Sequence, residues 1–385
     1  MGAQVRRSAL AAGLPLLLVS PWQPVRAALL RYCDTPTAVT ATQQDKLLRL
    51  AAVIKTELEA SGQRLALVAR SGTDLRRFDQ RYSHAGISLK ASPNAPWSVR
   101  QLYYACDERL PRLFDQGLPG FLLGTDDPTL GYVSVLLLPG DAAAALEPRA
   151  LDNALALQLL GRRYSANAYA FSTRYQNCNQ WVLELAATAW GAGASGPGAA
   201  LDADPRARAQ AWLQAVGYRP TVFELGSRAL QWFATAIPWV HDDDHPREDL
   251  MQARFRVSMP ASIEAFVQAR WPTTRRLEFC HTDQHIVIRR GWQPLAEGCQ
   301  PQPLDEVIAL AHTGSGQPAA EQPDVSSEQS TTPRPEREQR PPHPPHHPPA
   351  GAAQADPAAP ERPQHQQLPP PAARDQHADG LRGDA

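Results

Sequence analysis

The hydrophobic pattern changes from helical to extended within the first 105 residues, and this change restricts the fold more than any other feature of the chain. From Gln43 to Ser61, apolar side chains recur every three or four residues, and Gly62 follows as a stop signal. From Tyr82 to Leu89, apolar residues alternate with small or polar ones, as in a strand. A chain that combines these two patterns predicts the α+β class.

Further segments complete this prediction. Residues 97–105 should run antiparallel to the strand that ends at Leu89, because the turn-rich residues 91–96 separate the two. The glycine-rich residues 191–198 are the best internal boundary. The remaining predicted helices are 151–160, one from Cys178 onwards, 205–216, 228–237 and 260–270. The remaining predicted strands are 65–69, 131–138 and those within 277–290.

Residues 1–27 have the three parts of a secretory signal peptide. Arg6 and Arg7 are the positive start, an apolar stretch runs over 9–19, and Val25-Arg26-Ala27 matches a small-residue cleavage site. The alternatives are an uncleaved anchor and an ordinary buried helix. We expect cleavage and a protein exported to the periplasm or the extracellular space. No second apolar run approaches about 18 residues, so no membrane span is expected after signal cleavage.

The C-terminal residues 312–385 have a different composition from the rest. They contain 16 of the 37 prolines and no aromatic residue. Such a segment cannot bury enough apolar surface to offset its ordering entropy, so we expect a disordered tail. The folded part is then expected to be a core over 28–198, followed by a mainly helical lobe over 199–311 with a terminal β-hairpin packed on the core.

Charge and motif content limit the function classes. The chain carries 38 Lys and Arg against 39 Asp and Glu, a formal net charge of −1, which argues against a nucleic-acid-binding protein. The sequence has no glycine-rich loop of the dinucleotide or Walker type, so no cofactor is implied. It does not indicate an oligomeric state.

Five cysteines remain after cleavage of the signal, an odd number for an oxidising compartment. None forms a C-x-x-C pair, which disfavours a structural zinc site. We expect Cys280 to pair with Cys299 and Cys33 with Cys106, one of the three connectivities that four cysteines allow. Cys178 would then stay free.

Cys178 is the candidate nucleophile. Asn177 is a competent N-cap, which places Cys178 in the first helical turn, where the macrodipole should lower the thiol pKa and unpaired N–H groups can face an oxyanion. His84, on the small-residue face of its strand, could take and return a proton. The alternative is that Cys178 is a core residue or half of a disulfide and His84 a satisfied polar residue.

Two motifs carry a family resemblance. Tyr82-Ser83-His84-Ala85-Gly86-Ile87 resembles the strand that bears the base in circularly permuted NlpC-like enzymes of the papain-like superfamily. Asn177-Cys178-Asn179-Gln180-Trp181-Val182 is similar to the nucleophile-helix start of the lecithin retinol acyltransferase branch of that group. The stretch from Tyr32 to Leu310 also resembles a bacterial family known as domain of unknown function 2145.

The resemblance implies a papain-like (permuted NlpC-like) core with a small antiparallel sheet and a nucleophile helix. It also implies a thiol hydrolase or acyltransferase in which Cys178 forms a thioester from an amide or ester, with a cell-wall peptide or a lipid acyl group as substrate. Asn177 and Asn179, which flank the cysteine, are the candidate positioning and oxyanion residues. The second histidine of the acyltransferase branch has no match between Lys90 and Cys106.

The family pattern also requires a third polar residue that orients the imidazole. If Lys90 and Trp97 close the hairpin, Tyr103 lies opposite His84 and Gln101 is its diagonal neighbour on the same face. Gln101 is therefore the candidate. A register slip of one residue would substitute Arg100 or Leu102, and Gln101 could equally be a surface polar residue.

Two other hypotheses stay open. The chain could be a non-catalytic envelope module that binds a peptide or partner on the same fold. The segment His241-Asp242-Asp243-Asp244-His245 could hold a divalent metal, but we expect a solvated acidic turn and no metal there. Cys280 and His281 are adjacent on a predicted strand and point to opposite faces, so they are not a catalytic pair.

Overall fold

The computed structural model describes residues 39–192 and 204–310, which form one large antiparallel sheet covered by helices on both faces. The ten strands are β1 (Leu65–Arg70), β2 (His84–Leu89), β3 (Ser98–Ala105), β4 (Leu110–Gln116), β5 (Gly131–Leu137), β6 (Thr221–Glu224), β7 (Arg254–Val257), β8 (Arg275–His281), β9 (His285–Arg290) and β10 (Glu306–Ala309).

Nine α-helices occur in the described part of the chain. They are α1 (Ala41–Ala60), α2 (Leu118–Leu123), α3 (Gly140–Leu151), α4 (Asn153–Gln158), α5 (Cys178–Ala187), α6 (Pro205–Ala215), α7 (Arg228–Ala234), α8 (Arg247–Met251) and α9 (Pro260–Arg270). The first helix starts where Thr40 and Gln43 form a reciprocal capping box, and it ends before Gly62, whose φ is +72°.

Eight strands form the main sheet in the order β10-β9-β8-β5-β1-β2-β3-β4, and every neighbouring pair is antiparallel. Strands β6 and β7 pair separately. Alternate residues of the central strands face two different cores. Leu67 and Ala85 pack with α5 on one face, whereas Val68 and Val99 pack with α1 and α2 on the other. Because both faces of these strands are buried, the register decides which core each side chain enters.

The α+β class is confirmed, but the expectation of a small sheet was wrong. Strand β8 pairs with β5 over seven residue pairs, from Gly131↔His281 to Leu137↔Arg275, so the hairpin predicted near the end of the lobe extends the core sheet. The edge strand β4, Leu110–Gln116, was missed because most of its residues are only half-buried and its sequence lacks alternation. Sequence patterns locate strands more easily than they show which strands pair.

Several predictions fall on residues that the structure does not describe. These are the signal peptide 1–27, the tail 312–385, Cys33 and most of the glycine-rich boundary. The predicted Cys280–Cys299 disulfide is confirmed. Cys106 is also disulfide-bonded, and Cys178 is the free cysteine of the described part. Within that part, no helix combines the length and the apolar character that crossing a bilayer requires.

Candidate active site

Helix α5 presents Cys178 in its first turn, as the sequence predicts. Asn177 is the N-cap, and its Oδ1 accepts a hydrogen bond of 2.7 Å from Gln180 N. The Asn177 Nδ2 group donates to Ala166 O and Ser258 O, both at 3.3 Å. The cap is therefore tied to two other segments, which fixes where the helix begins.

An ion pair inside the protein holds the segment that leads into this helix. Arg206 Nε donates to Glu184 Oε2 at 2.8 Å, and both side chains are buried. Arg206 also donates to Thr173 O and Tyr175 O at 2.8 Å, while Gln176 Nε2 donates to Glu184 Oε2 at 2.6 Å. Helix α6 thus positions residues 173–176, immediately before the cysteine.

The hairpin of β2 and β3 brings His84 to Gln101. Its register pairs Leu89 with Ser98, the register that sets Tyr103 opposite His84, and the two rings stack with centroids 4.5 Å apart. His84 Nε2 lies 2.8 Å from Gln101 Oε1. Gln101 is fully buried, so the possibility that it is only a surface residue is wrong.

The Gln101 amide determines the tautomer of the imidazole. Its Nε2 group donates to Gln116 Oε1 at 2.8 Å, so its oxygen faces His84. A carbonyl oxygen only accepts, and this amide orientation therefore assigns the ring proton to Nε2 of His84. The lone pair is then on Nδ1, where a general base needs it.

The thiol and the Asn179 amide converge on Ser83, the residue before His84. Cys178 Sγ lies 4.0 Å from Ser83 O, and Asn179 Nδ2 donates to the same oxygen at 3.2 Å and to Met259 Sδ at 3.7 Å. Asn179 therefore ties α5 to the start of β2, and its amide hydrogens are already engaged. Within the described residues the thiol makes its hydrogen bond to Ser83 and none to the imidazole.

Burial keeps both groups neutral. It raises the pKa of the Cys178 thiol to about 11, although the charge of Arg70 and nearby backbone N–H groups act in the opposite direction. Burial and then the Arg70 charge lower the pKa of His84 to about 3, against the hydrogen bond that its Nε2–H donates to Gln101. The expected lowering of the thiol pKa by the helix N-terminus is contradicted, because desolvation outweighs the helix field.

A small cavity adjoins His84. Its volume is about 20 Å³, and Arg70, Tyr103, Asp126 and Tyr164 are among the residues that line it. A cavity of that size accepts about one water molecule. In this conformation a substrate would have to displace part of the lining to reach the imidazole.

The His241–His245 loop packs on the segment before Cys178 and is not the solvated turn that we expected. The His241 ring stacks on Tyr175 with centroids 4.4 Å apart, and His245 Nε2 lies 2.8 Å from Asn167 O. Asp244 accepts a hydrogen bond of 2.9 Å from Tyr169 N. Within the described residues, no three His, Cys, Asp or Glu side chains group as metal ligands would.

Sequence reasoning missed several residues of the site. Arg70 is the last residue of an apolar strand, and a charged residue at such a position was an available signal. Gln116 lies on the strand that was not predicted. Glu184 and Arg206 looked like ordinary helix-surface residues, since nothing in the sequence marks them as partners 22 positions apart.

Comparison with known proteins places the chain in one family. A family model described as an uncharacterized protein conserved in bacteria (DUF2145) matches residues 57–267, which include His84 and Cys178 and make up more than half of the chain. Strands β8, β9 and β10 lie beyond the matched segment although they belong to the same sheet. No curated protein and no solved structure matches the chain. The protein therefore belongs to the DUF2145 family.

Proposed function

We propose that the protein is a thiol hydrolase or acyltransferase with a permuted papain-like core, in which Cys178 is the nucleophile and His84 the base. The observation that carries the proposal is the fixed imidazole. Gln101 and Gln116 hold His84 with its proton on Nε2. The N-terminus of α5 brings the free Cys178 close to Ser83, the residue before His84. A nucleophile, a base and a residue that orients the base are the parts of a nucleophilic site.

The chemistry starts from neutral groups. As Sγ attacks the carbonyl carbon of an amide or ester, the thiol proton moves to Nδ1 of His84 and the carbonyl oxygen becomes an oxyanion. The backbone N–H of Cys178 supports this oxyanion at the helix start. The imidazolium then gives its proton to the leaving amine or alcohol, which leaves a thioester on Cys178. Water, or an acceptor alcohol or amine, then gives a proton to Nδ1 as its oxygen or nitrogen attacks the thioester carbonyl carbon. The C–S bond breaks, the imidazolium returns the proton to Sγ, and the acyl group leaves as an acid, ester or amide.

The thiol must turn before this reaction can begin. In the structure the thiol faces the carbonyl oxygen of Ser83, the residue that precedes His84. Rotation about the Cα–Cβ bond of Cys178 would redirect it, and catalytic hydrogen bonds commonly form only once substrate is bound. Substrate binding would therefore assemble the reactive pair.

An exported protein meets cell-wall peptides and lipid acyl groups, and these remain the proposed substrate classes. The proposal of export rests on residues 1–27 and agrees with the Cys280–Cys299 disulfide, since disulfides persist mainly outside the cytoplasm.

The second candidate function is a non-catalytic binding module. The burial of Cys178, which is 3% exposed, and its raised pKa favour this alternative. In that case the cysteine would be a core residue, and His84 with Gln101 would stabilise the hairpin.

The pH dependence of acylation separates the two candidates. The probe is p-nitrophenyl acetate, and mass mapping identifies the acetylated residue of the unreduced protein between pH 5 and 8. If neutral His84 removes the proton, the rate at Cys178 is nearly flat over this range, because the pKa of His84 is about 3. A thiol with a pKa of about 11 that ionises alone gives a rate that rises about tenfold per pH unit.

Matched variants complete the test. We expect His84→Gln to slow acylation of Cys178 by about 100-fold, within the usual range for loss of a general base. His281→Gln removes another buried histidine and should leave the rate unchanged. A tenfold rise per pH unit, or equal rates in wild type and His84→Gln, would reject the proposed chemistry in favour of the binding module.

A further inference from the structure

Arg70 differs from every other buried arginine in the described part of the chain. Five arginines there are less than 9% exposed. Four of them form ion pairs with carboxylates: Arg100 with Asp115, Arg206 with Glu184, Arg276 with Glu264 and Glu278, and Arg289 with Asp305. Arg70, which is 3% exposed, has no such partner among the described residues.

Among the residues that the structure describes, only neutral groups hold the guanidinium of Arg70. Its Nη1 donates to Ser71 O at 3.1 Å, its Nη2 donates to the Tyr103 hydroxyl, and its Cζ lies 5.4 Å from the centroid of the Phe121 ring. The Nε group is buried and has no hydrogen-bond partner within the described part of the chain. A buried cation in such surroundings is unfavourable unless an anion joins it.

The groups around Arg70 pack closely, and a small cavity adjoins the guanidinium. Two glycines, Gly72 and Gly124, lie so close that a Cβ at either position would collide with the guanidinium. The cavity beside His84 is lined by Arg70 and both glycines, and it has room for about one oxygen atom.

The position of Arg70 connects it to the candidate site. It ends β1 directly opposite His84, the first residue of β2. Its charge lowers the pKa of both His84 and Cys178, so it lies near both groups. An anion bound to Arg70 would therefore lie beside the base and close to the nucleophile.

We propose that Arg70 is an anion subsite that binds a carboxylate of the substrate next to the bond that Cys178 attacks. This inference rests on the proposed function and narrows its substrate class. A peptide with a free carboxylate near the scissile amide supplies the missing counter-ion, whereas a neutral lipid ester does not. Arg70 is then a specificity-determining residue.

The first test measures anion binding without any reaction. The probe is sodium formate, the smallest carboxylate, and the readout is the melting temperature of the full mature chain. We expect a saturable rise of at least about 2 °C in wild type and in Cys178→Ser, and none in Arg70→Met. Arg100→Met, at a buried arginine with a carboxylate partner, should keep the response to formate while it lowers the starting melting temperature.

The second test measures anion preference at the thiol. Iodoacetate and iodoacetamide differ in charge and alkylate the same sulfur. The measured quantity is the rate of alkylation of Cys178 by iodoacetate divided by its rate with iodoacetamide. In folded wild type we expect this ratio to be at least about tenfold higher than in the unfolded chain. Arg70→Met should return the ratio to the unfolded value, and Arg70→Lys should give an intermediate ratio.

The outcomes separate the two proposals. An equal response to formate in wild type and Arg70→Met overturns the anion subsite, whatever the reactivity of Cys178. A response that Arg70→Met loses and Cys178→Ser keeps supports the subsite even if acylation by p-nitrophenyl acetate fails. If Arg70→Met slows acylation by this neutral ester as much as alkylation by iodoacetate, Arg70 serves the reaction oxyanion and the carboxylate assignment is overturned.

Discussion

His84 Nε2 lies 2.8 Å from Gln101 Oε1, on adjacent strands 17 residues apart. The β2–β3 register sets the spacing, and Gln116 on β4 turns the Gln101 oxygen towards the ring. Three neighbouring strands thus fix one proton on one nitrogen. Such a chain of oriented amides fixes the tautomer without adding a charge to the site, which distinguishes it from a carboxylate partner.

A charge at position 101 should change the titration of His84. Gln101→Glu keeps an oxygen acceptor but places an anion 2.8 Å from Nε2, which favours the imidazolium. We expect the pKa of His84 to rise from about 3 by at least about one unit, measured by NMR of the ring protons. Gln116→Glu is the control. It should shift the pKa of His84 less, because Gln116 contacts Gln101 and not the imidazole. Equal midpoints in wild type and Gln101→Glu would contradict this relationship.

Burial of neutral His84 should also appear in the pH dependence of stability. The folded pKa, about 3, is below the unfolded value near 6.5, so the unfolded chain binds more protons between these values. The contribution of His84 is therefore present above pH 6.5 and is lost as the pH falls towards 3. Urea titrations should show a slope of up to about 1.4 kcal/mol per pH unit that His84→Gln lacks. If the free energy of unfolding depends on pH in the same way in wild type and His84→Gln, His84 makes no such contribution.

The ion pair of Arg206 and Glu184 should be sensitive to removal of one partner. Arg206→Met leaves Glu184 buried without its cation and frees the Thr173 and Tyr175 carbonyls. We expect the free energy of unfolding to fall by about 3–5 kcal/mol in urea denaturation. Arg290→Met breaks two ion pairs of an exposed arginine, with Glu57 and Glu306, and should change the free energy of unfolding by less than about 1 kcal/mol. Similar losses for the two variants would count against the network.

The Cys280–Cys299 disulfide should stabilise the outer half of the sheet. It closes a loop with a sequence separation of 19, for which chain entropy gives about 3 kcal/mol. Replacement of both cysteines by serine should lower the free energy of unfolding by about that amount under non-reducing conditions. Cys178→Ser, outside any disulfide, serves as the control. A loss below about 1 kcal/mol would mean that the bond adds little.

The two glycines beside Arg70 provide a steric test. A Cβ at Gly124 would meet both the Arg70 guanidinium and the Tyr103 hydroxyl, so Gly124→Ala must displace one of them. We expect a loss of about 1–3 kcal/mol in stability together with the loss of formate binding. Gly140→Ala has open space around its new methyl and should change neither. Retention of formate binding in Gly124→Ala would show that the subsite tolerates this displacement.

Local periodicity was sufficient for much of the secondary structure. Helix α1 was predicted within two residues of its start and one of its end. The β2–β3 hairpin was predicted with its register, because a slip of one residue would turn the buried side chains of a strand to its other face. The register then led to Gln101. Strand β4 was missed because an exposed edge strand does not need alternation, and with it Gln116 was missed.

The sequence by itself determined the α+β class and the start of helix α5 after Asn177, because both depend on local spacing. The pairing of Cys280 with Cys299 was one of three connectivities that the sequence left open, and the structure decided for it. Only the tertiary structure decided the size of the sheet, the burial of the thiol and the lack of a carboxylate partner for Arg70 among the described residues. These depend on which distant segments meet. Desolvation and ion pairing are properties of the completed interior. A helix N-terminus should lower the pKa of a thiol, but the pKa of a thiol at that position is raised when burial outweighs the helix field.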